Sequence, residues 1–131
     1  MLLLLISIGL PGKCQFANNK IDSTHFAKIY IYRPFTLSAV LLGFGIRKEG
    51  EKLFKLRNNS ARELRIYKSA PIILSAKSVE RISKITLNVE VGKSYYIRCI
   101  PRISYLTVNP KLELVNEAKG KQEYEAIVDE N

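Results

Sequence analysis

Residues 82–100, ISKITLNVEVGKSYYIRCI, decide the fold. Ile85, Leu87, Val89 and Val91 alternate with Lys84, Thr86, Asn88 and Glu90. A period of two places the apolar set on one face of a strand and the polar set on the other. Gly92-Lys93 then turns the chain into residues 94–100, SYYIRCI, a second β-rich run. Two such runs joined by two residues predict a hairpin.

The same reading extends outward. Upstream stand residues 72–77 (IILSAK) after Pro71, residues 62–68 (RELRIYK) and the loop Arg57-Asn58-Asn59-Ser60. Before these come residues 52–56 (KLFKL) behind the turn Glu49-Gly50-Glu51, and residues 38–42 (SAVLL), closed by Gly43-Phe44-Gly45. The earliest run, residues 27–33 (AKIYIYR), stops at Pro34, which lacks a ladder donor. Downstream, residues 103–108 (ISYLTV) follow Pro101, and residues 111–115 (KLELV) follow Pro110. Residues 116–128 are the one segment where a short helix fits, with Gly120 interrupting it.

Many short strands with turn residues between them predict an all-β fold, an antiparallel β-sandwich of immunoglobulin- or prealbumin-like type with a short C-terminal helix. Short connections favour antiparallel pairing. The expected core is Ile29, Ile31, Leu41, Phe54, Leu64, Ile66, Ile73, Ile85, Leu87, Val89, Ile97, Leu112 and Leu114.

At the other end of the sequence, Leu2 to Leu10 (LLLLISIGL) form an apolar run with Ser7 as its one polar residue. It is too short for a membrane span of about 20 residues and matches the core of a secretory signal. The domain reading is therefore a leader over 1–17, a linker over 18–26 and a sandwich over 27–128. Cys14 stands where a lipidated cysteine would, but Lys13 before it is wrong for that processing. Membrane association is expected only if Cys14 is lipidated.

Four stretches in order carry a family likeness: Ile29-Tyr30-Ile31-Tyr32-Arg33-Pro34; the turn Val89-Glu90-Val91-Gly92-Lys93; Ser94-Tyr95-Tyr96-Ile97-Arg98; and residues 109–117, NPKLELVNE. Together they resemble a bacterial family of secreted proteins and lipoproteins known only as domain of unknown function 2846. The likeness runs from about Ala27 to Val128 and departs from the pattern near residues 44–48 and Ala70-Pro71. The resemblance implies an envelope location and a β-sandwich, and carries no catalytic residues.

Chemistry-bearing sets are sparse. One histidine (His25), two distant cysteines (Cys14 and Cys99) and no carboxylate cluster give no zinc or calcium pattern. Gly43-x-Gly45 is no phosphate loop or dinucleotide fingerprint. Neither a metal nor a cofactor is expected. Cys99 on an apolar strand reads as a small core residue.

The net charge of +9 is more informative, because it favours anionic partners. Lys52, Lys55, Arg62, Arg65, Lys68 and Lys84 would form an anion-facing patch if their strands share a sheet. Tyr30, Tyr32, Tyr95 and Tyr96 are a second candidate surface, since amphipathic rings anchor interfaces. Nucleic acid is not an expected partner, as an exported protein rarely meets it and binding would need exposed aromatics interleaved with the charges on a stacking platform. The sequence thus predicts a non-catalytic domain exported to the periplasm or cell envelope, binding an envelope protein or an anionic polymer or lipid surface. A small envelope hydrolase and a cytosolic basic binding module are the alternatives.

Overall fold

Strands with one apolar face must bury it, and here two four-stranded sheets do so against each other. The computed structural model describes residues 25–130. The leader over 1–17, Cys14 and linker residues 18–24 lie outside the described residues. The strands are β1 (Ala27–Arg33), β2 (Phe44–Lys48), β3 (Glu51–Leu56), β4 (Ser60–Ile66), β5 (Ala70–Lys77), β6 (Ile82–Val89), β7 (Ser94–Ser104) and β8 (Thr107–Val115), followed by helix α1 (Glu117–Glu130). One sheet has the order β4-β1-β7-β8 and the other β3-β2-β5-β6. The all-β sandwich is as read.

Ile29, Ile31, Ile97 and Cys99 of the first sheet meet Phe44, Ile46, Leu74, Leu87 and Val89 of the second. Burying such side chains contributes about 1.5–3 kcal/mol each before the entropy of ordering them is set against it. Phe26, read as linker, belongs to the domain: it is buried, faces Tyr67 and carries the Arg65 guanidinium over its ring at 4.8 Å.

Several local expectations are corrected. Residues 38–42 form a turn, not a strand, and Leu41 is 90% exposed. The strand is β2 instead, because Glu49 and Gly50, both at positive φ, make a two-residue hairpin into β3. Gly92-Lys93 closes no hairpin. It carries the chain from β6 in one sheet to β7 in the other, and β7 lies parallel to β1. That parallel pair rests on a long excursion through the second sheet, which short-connection reasoning does not see.

Pro101 and Pro110 do not stop their strands. They face each other across the β7–β8 ladder, beyond the stretch of β7 that pairs with β1. Residues 103–108 are therefore a hairpin tip at Tyr105-Leu106. In β5, Ile72 and Leu74 point inward and Ile73 outward. Consecutive apolar residues leave the strand phase undetermined, and a one-residue slip exchanges the faces. Leu114, on the edge strand β8, stays exposed.

Candidate anion-binding face

The outer faces of the two sheets differ in what covers them. On the β4-β1-β7-β8 sheet, Tyr30, Tyr32 and Tyr96 share the outer side and α1 lies across them. Tyr124 meets Tyr30 edge-on at 4.8 Å, while Tyr30 and Tyr96 stack at 4.8 Å, an arrangement the ring quadrupoles favour. Ile127 completes this second apolar cluster. Gly120, which looked like an interruption of the helix, makes the docking feasible: a Cβ there would collide with Cβ and Cγ of Tyr96.

Charges under the helix are paired. Arg98 donates to Glu113 at 2.8 Å and to Glu123 at 3.2 Å, and the Tyr32 hydroxyl donates to Glu123 at 2.5 Å. The Arg98 hydrogen bond holds the Glu113 carboxyl below its usual range. Burial, then the hydrogen bond to Glu123, pushes the Tyr32 hydroxyl well above the usual phenol range.

Among the described residues, nothing covers the outer side of the other sheet. Register places Lys55, Gly45, Lys77 and Ile82 in one row across β3, β2, β5 and β6, and Lys52, Arg47, Ser75 and Lys84 in the next. Register partners on adjacent strands stand about 5 Å apart, and Lys55 and Lys77 roughly 10 Å apart across Gly45. A hollow of roughly 260 Å³ lies over Gly43 and Gly45, lined by Arg47, Lys52, Lys55 and Lys77. It adjoins a groove of roughly 500 Å³ that adds Arg81 and Lys84.

None of these cations forms an ion pair among the described residues. Two carboxylates, Glu49 and Glu80, also line the groove, and Glu49 is engaged by the backbone N–H of Ile73 at 2.8 Å. Arg47 donates to the Gly50 carbonyl at 3.2 Å, and its buried Nε has no acceptor among the described residues. Like charges opposite each other in a sheet repel, so this row costs stability unless a counter-charge arrives.

The predicted patch is thus divided. Lys52, Lys55 and Lys84 share the bare face, joined by Arg47 and Lys77. Arg62 and Arg65 are on β4 in the other sheet, where Arg62 stacks over Phe54 at 4.6 Å and Arg65 pairs with Glu63 at 2.9 Å. Lys68 lies in the β4–β5 connection. Arg47 is missing from the predicted patch because the sequence reading closes a run at Gly43-Phe44-Gly45 and places no strand over 46–48; the alternation Phe44, Ile46 against Gly45, Arg47 is the available signal.

The tyrosine surface is also corrected: Tyr30, Tyr32 and Tyr96 are occupied by the chain's own helix. Tyr95 points to the opposite side, packs against the main core and donates to the Asn88 carbonyl at 3.3 Å.

Two buried groups lie apart from both faces. Cys99 is fully buried, and burial pushes its thiol up to about 12. Arg33 is fully buried as well, with its guanidinium donating to the carbonyls of Leu42 at 2.6 Å, Ala39 at 2.8 Å and Leu56 at 3.2 Å over the Phe44 ring. Burial lowers its pKa. His25 is exposed, and the described residues hold no group of three or more potential metal ligands.

Fold and face together define a β-sandwich with one helix-covered sheet and one cationic sheet. The chain has no significant match among family models, curated proteins or solved structures.

Proposed function

We propose that this chain is a non-catalytic binding domain of the bacterial cell envelope that holds an anionic component against the β3-β2-β5-β6 sheet. The observation that carries the reading is the double row of cations around Gly45, none of which is in an ion pair among the described residues, where the opposite sheet pairs Arg98 twice. A suppressed thiolate at Cys99 and an exposed His25 favour binding over nucleophilic chemistry. The apolar run at residues 2–10 and the family likeness support export.

Titration with a soluble polyanion such as heparin, at several salt concentrations, tests the face. Lys52→Glu with Lys84→Glu weakens binding at least tenfold, whereas Arg65→Glu with Lys68→Glu leaves it within about twofold. The two variants change net charge equally. Equal losses would mean that overall charge alone acts, and the face would have no role. Fractionation of cells expressing the tagged full-length chain tests export, and an uncleaved cytosolic product would reject it.

A further inference from the structure

A second set of unsatisfied groups lies at one end of the sandwich. Register places Arg33 beside Ser60, Phe44 beside Leu56 and Gly45 beside Lys77, and the parallel β1–β7 pair brings the β7–β8 tip to the same end. Loops 34–43, 57–59 and 78–81 and the 105–106 tip therefore emerge together. They expose Leu37 (83%), Leu41 (90%), Val79 (86%), Tyr105 (98%) and Leu106 (98%). Single exposed leucines are ordinary, but a set at one end marks an interaction site.

These side chains are held out rather than left loose. The buried Arg33 guanidinium binds the Ala39 and Leu42 carbonyls from inside, and Asn58 clasps Thr36 through two hydrogen bonds of 3.0 and 3.2 Å. Ala39 (φ 57°) and Tyr105 (φ 54°) adopt the left-handed conformation that side chains disfavour. Backbone strain beneath exposed apolar residues is the pattern of a surface shaped for a partner.

Charge identifies that partner. Val79 lines a hollow with Leu42, Leu106 and one carboxylate, Glu80, and also lines the Gly45 hollow with Lys55 and Lys77; Arg57 borders the hollow containing Leu41. The apolar tips thus run directly into the cationic face. We infer that this end docks on an anionic lipid bilayer, with the loop leucines entering the headgroup boundary and Lys55, Lys77 and Arg57 meeting the phosphates. The inference rests on the proposed anion-binding face and names its partner. A soluble polymer would neutralise the lysines and leave the leucines in water. Separate convex tips carried on four connections suit penetration of an interface, where apolar side chains bury about 5–10 Å deep and a tyrosine sits at headgroup level.

The chain contains no tryptophan, so one introduced residue reports on its own site. Full-length Leu41→Trp is mixed with phosphatidylglycerol-containing or pure phosphatidylcholine vesicles, with and without acyl-brominated lipid. The expected result is a blue shift and bromine quenching on anionic vesicles alone. Asn88→Trp, roughly 20 Å along β6 from that end, stays unquenched. Leu37→Ser with Leu41→Ser lowers vesicle affinity at least tenfold and leaves heparin affinity within about twofold. Lys55→Glu with Lys77→Glu lowers both, each lost lysine weakening vesicle binding roughly fivefold. If heparin binds but the emission of the Leu41→Trp variant does not move, the bilayer inference falls and the anion-binding face stands. If the serine variant binds vesicles like the parent, the inference also falls. Binding of neither ligand would overturn both.

Discussion

The two outer sheet faces carry similar charge types and treat them in opposite ways. On the helix-covered face, Arg98 has two carboxylate partners and three tyrosines are roofed by α1. On the bare face, Arg47 and Lys52 are register partners with no carboxylate between them. Repulsion within a fold can thus be relieved from inside or left for an outside ion to relieve. An unpaired cationic row beside an internally neutralised one points to a ligand more strongly than net charge does.

Adding a methylene or more under the helix should have the largest effect. Gly120→Leu collides with Tyr96 and is expected to cost about 3 kcal/mol or more in chemical denaturation. Gly45→Ala is its counterpart on the bare face, where the nearest atom to a new Cβ is the Lys77 carbonyl oxygen at 4.0 Å. That change should stay within about 0.5 kcal/mol. Similar losses at both glycines would erase the distinction between the faces.

Arg98→Met comes next, at about 2 kcal/mol, because it strands Glu113 and Glu123 beneath the helix. It should also alter the acid limb of the stability curve. The Glu113 pKa is lowered in the fold, so its contribution is present above the ordinary carboxylate pKa and lost as pH falls through the lowered value. Urea titrations across the acid range should show this loss in the parent and a flatter profile in the variant.

Between the faces, Cys99 sets an alkaline limit. Its folded pKa is raised from 9.0 to about 12, so the stabilisation is complete below 9 and fades as the unfolded thiol ionises. Stability should fall by about 1 kcal/mol by pH 10, and Cys99→Val should remove that component. Denaturation midpoints at pH 8 and 10 measure it.

The smallest effect has the opposite sign. Lys52→Met should raise stability by a few tenths of a kcal/mol in low salt by relieving repulsion with Arg47, and the gain should shrink as salt is added. A clear loss instead would show that Lys52 is already paired.

The class of fold was legible in the order of residues alone. Alternation of Ile85, Leu87 and Val89 against Lys84, Thr86 and Asn88 is a local property of a strand, and it required a buried face whatever the strand's neighbour. It also marked Lys84 as outward, whereas Lys52 and Lys55, three residues apart, come to one face only through the register shift opposite Ile46 and Arg47. Strand neighbours were another matter, since which strands pair depends on packing between residues far apart in the chain. Three-dimensional packing moved Arg62 and Arg65 to the other sheet, carried Gly92-Lys93 between sheets and set β7 parallel to β1. It also turned Gly120 from a helix breaker into the contact that lets α1 cover Tyr30, Tyr32 and Tyr96. Periodicity states which way a side chain points; the sheet and the helix decide what it meets there.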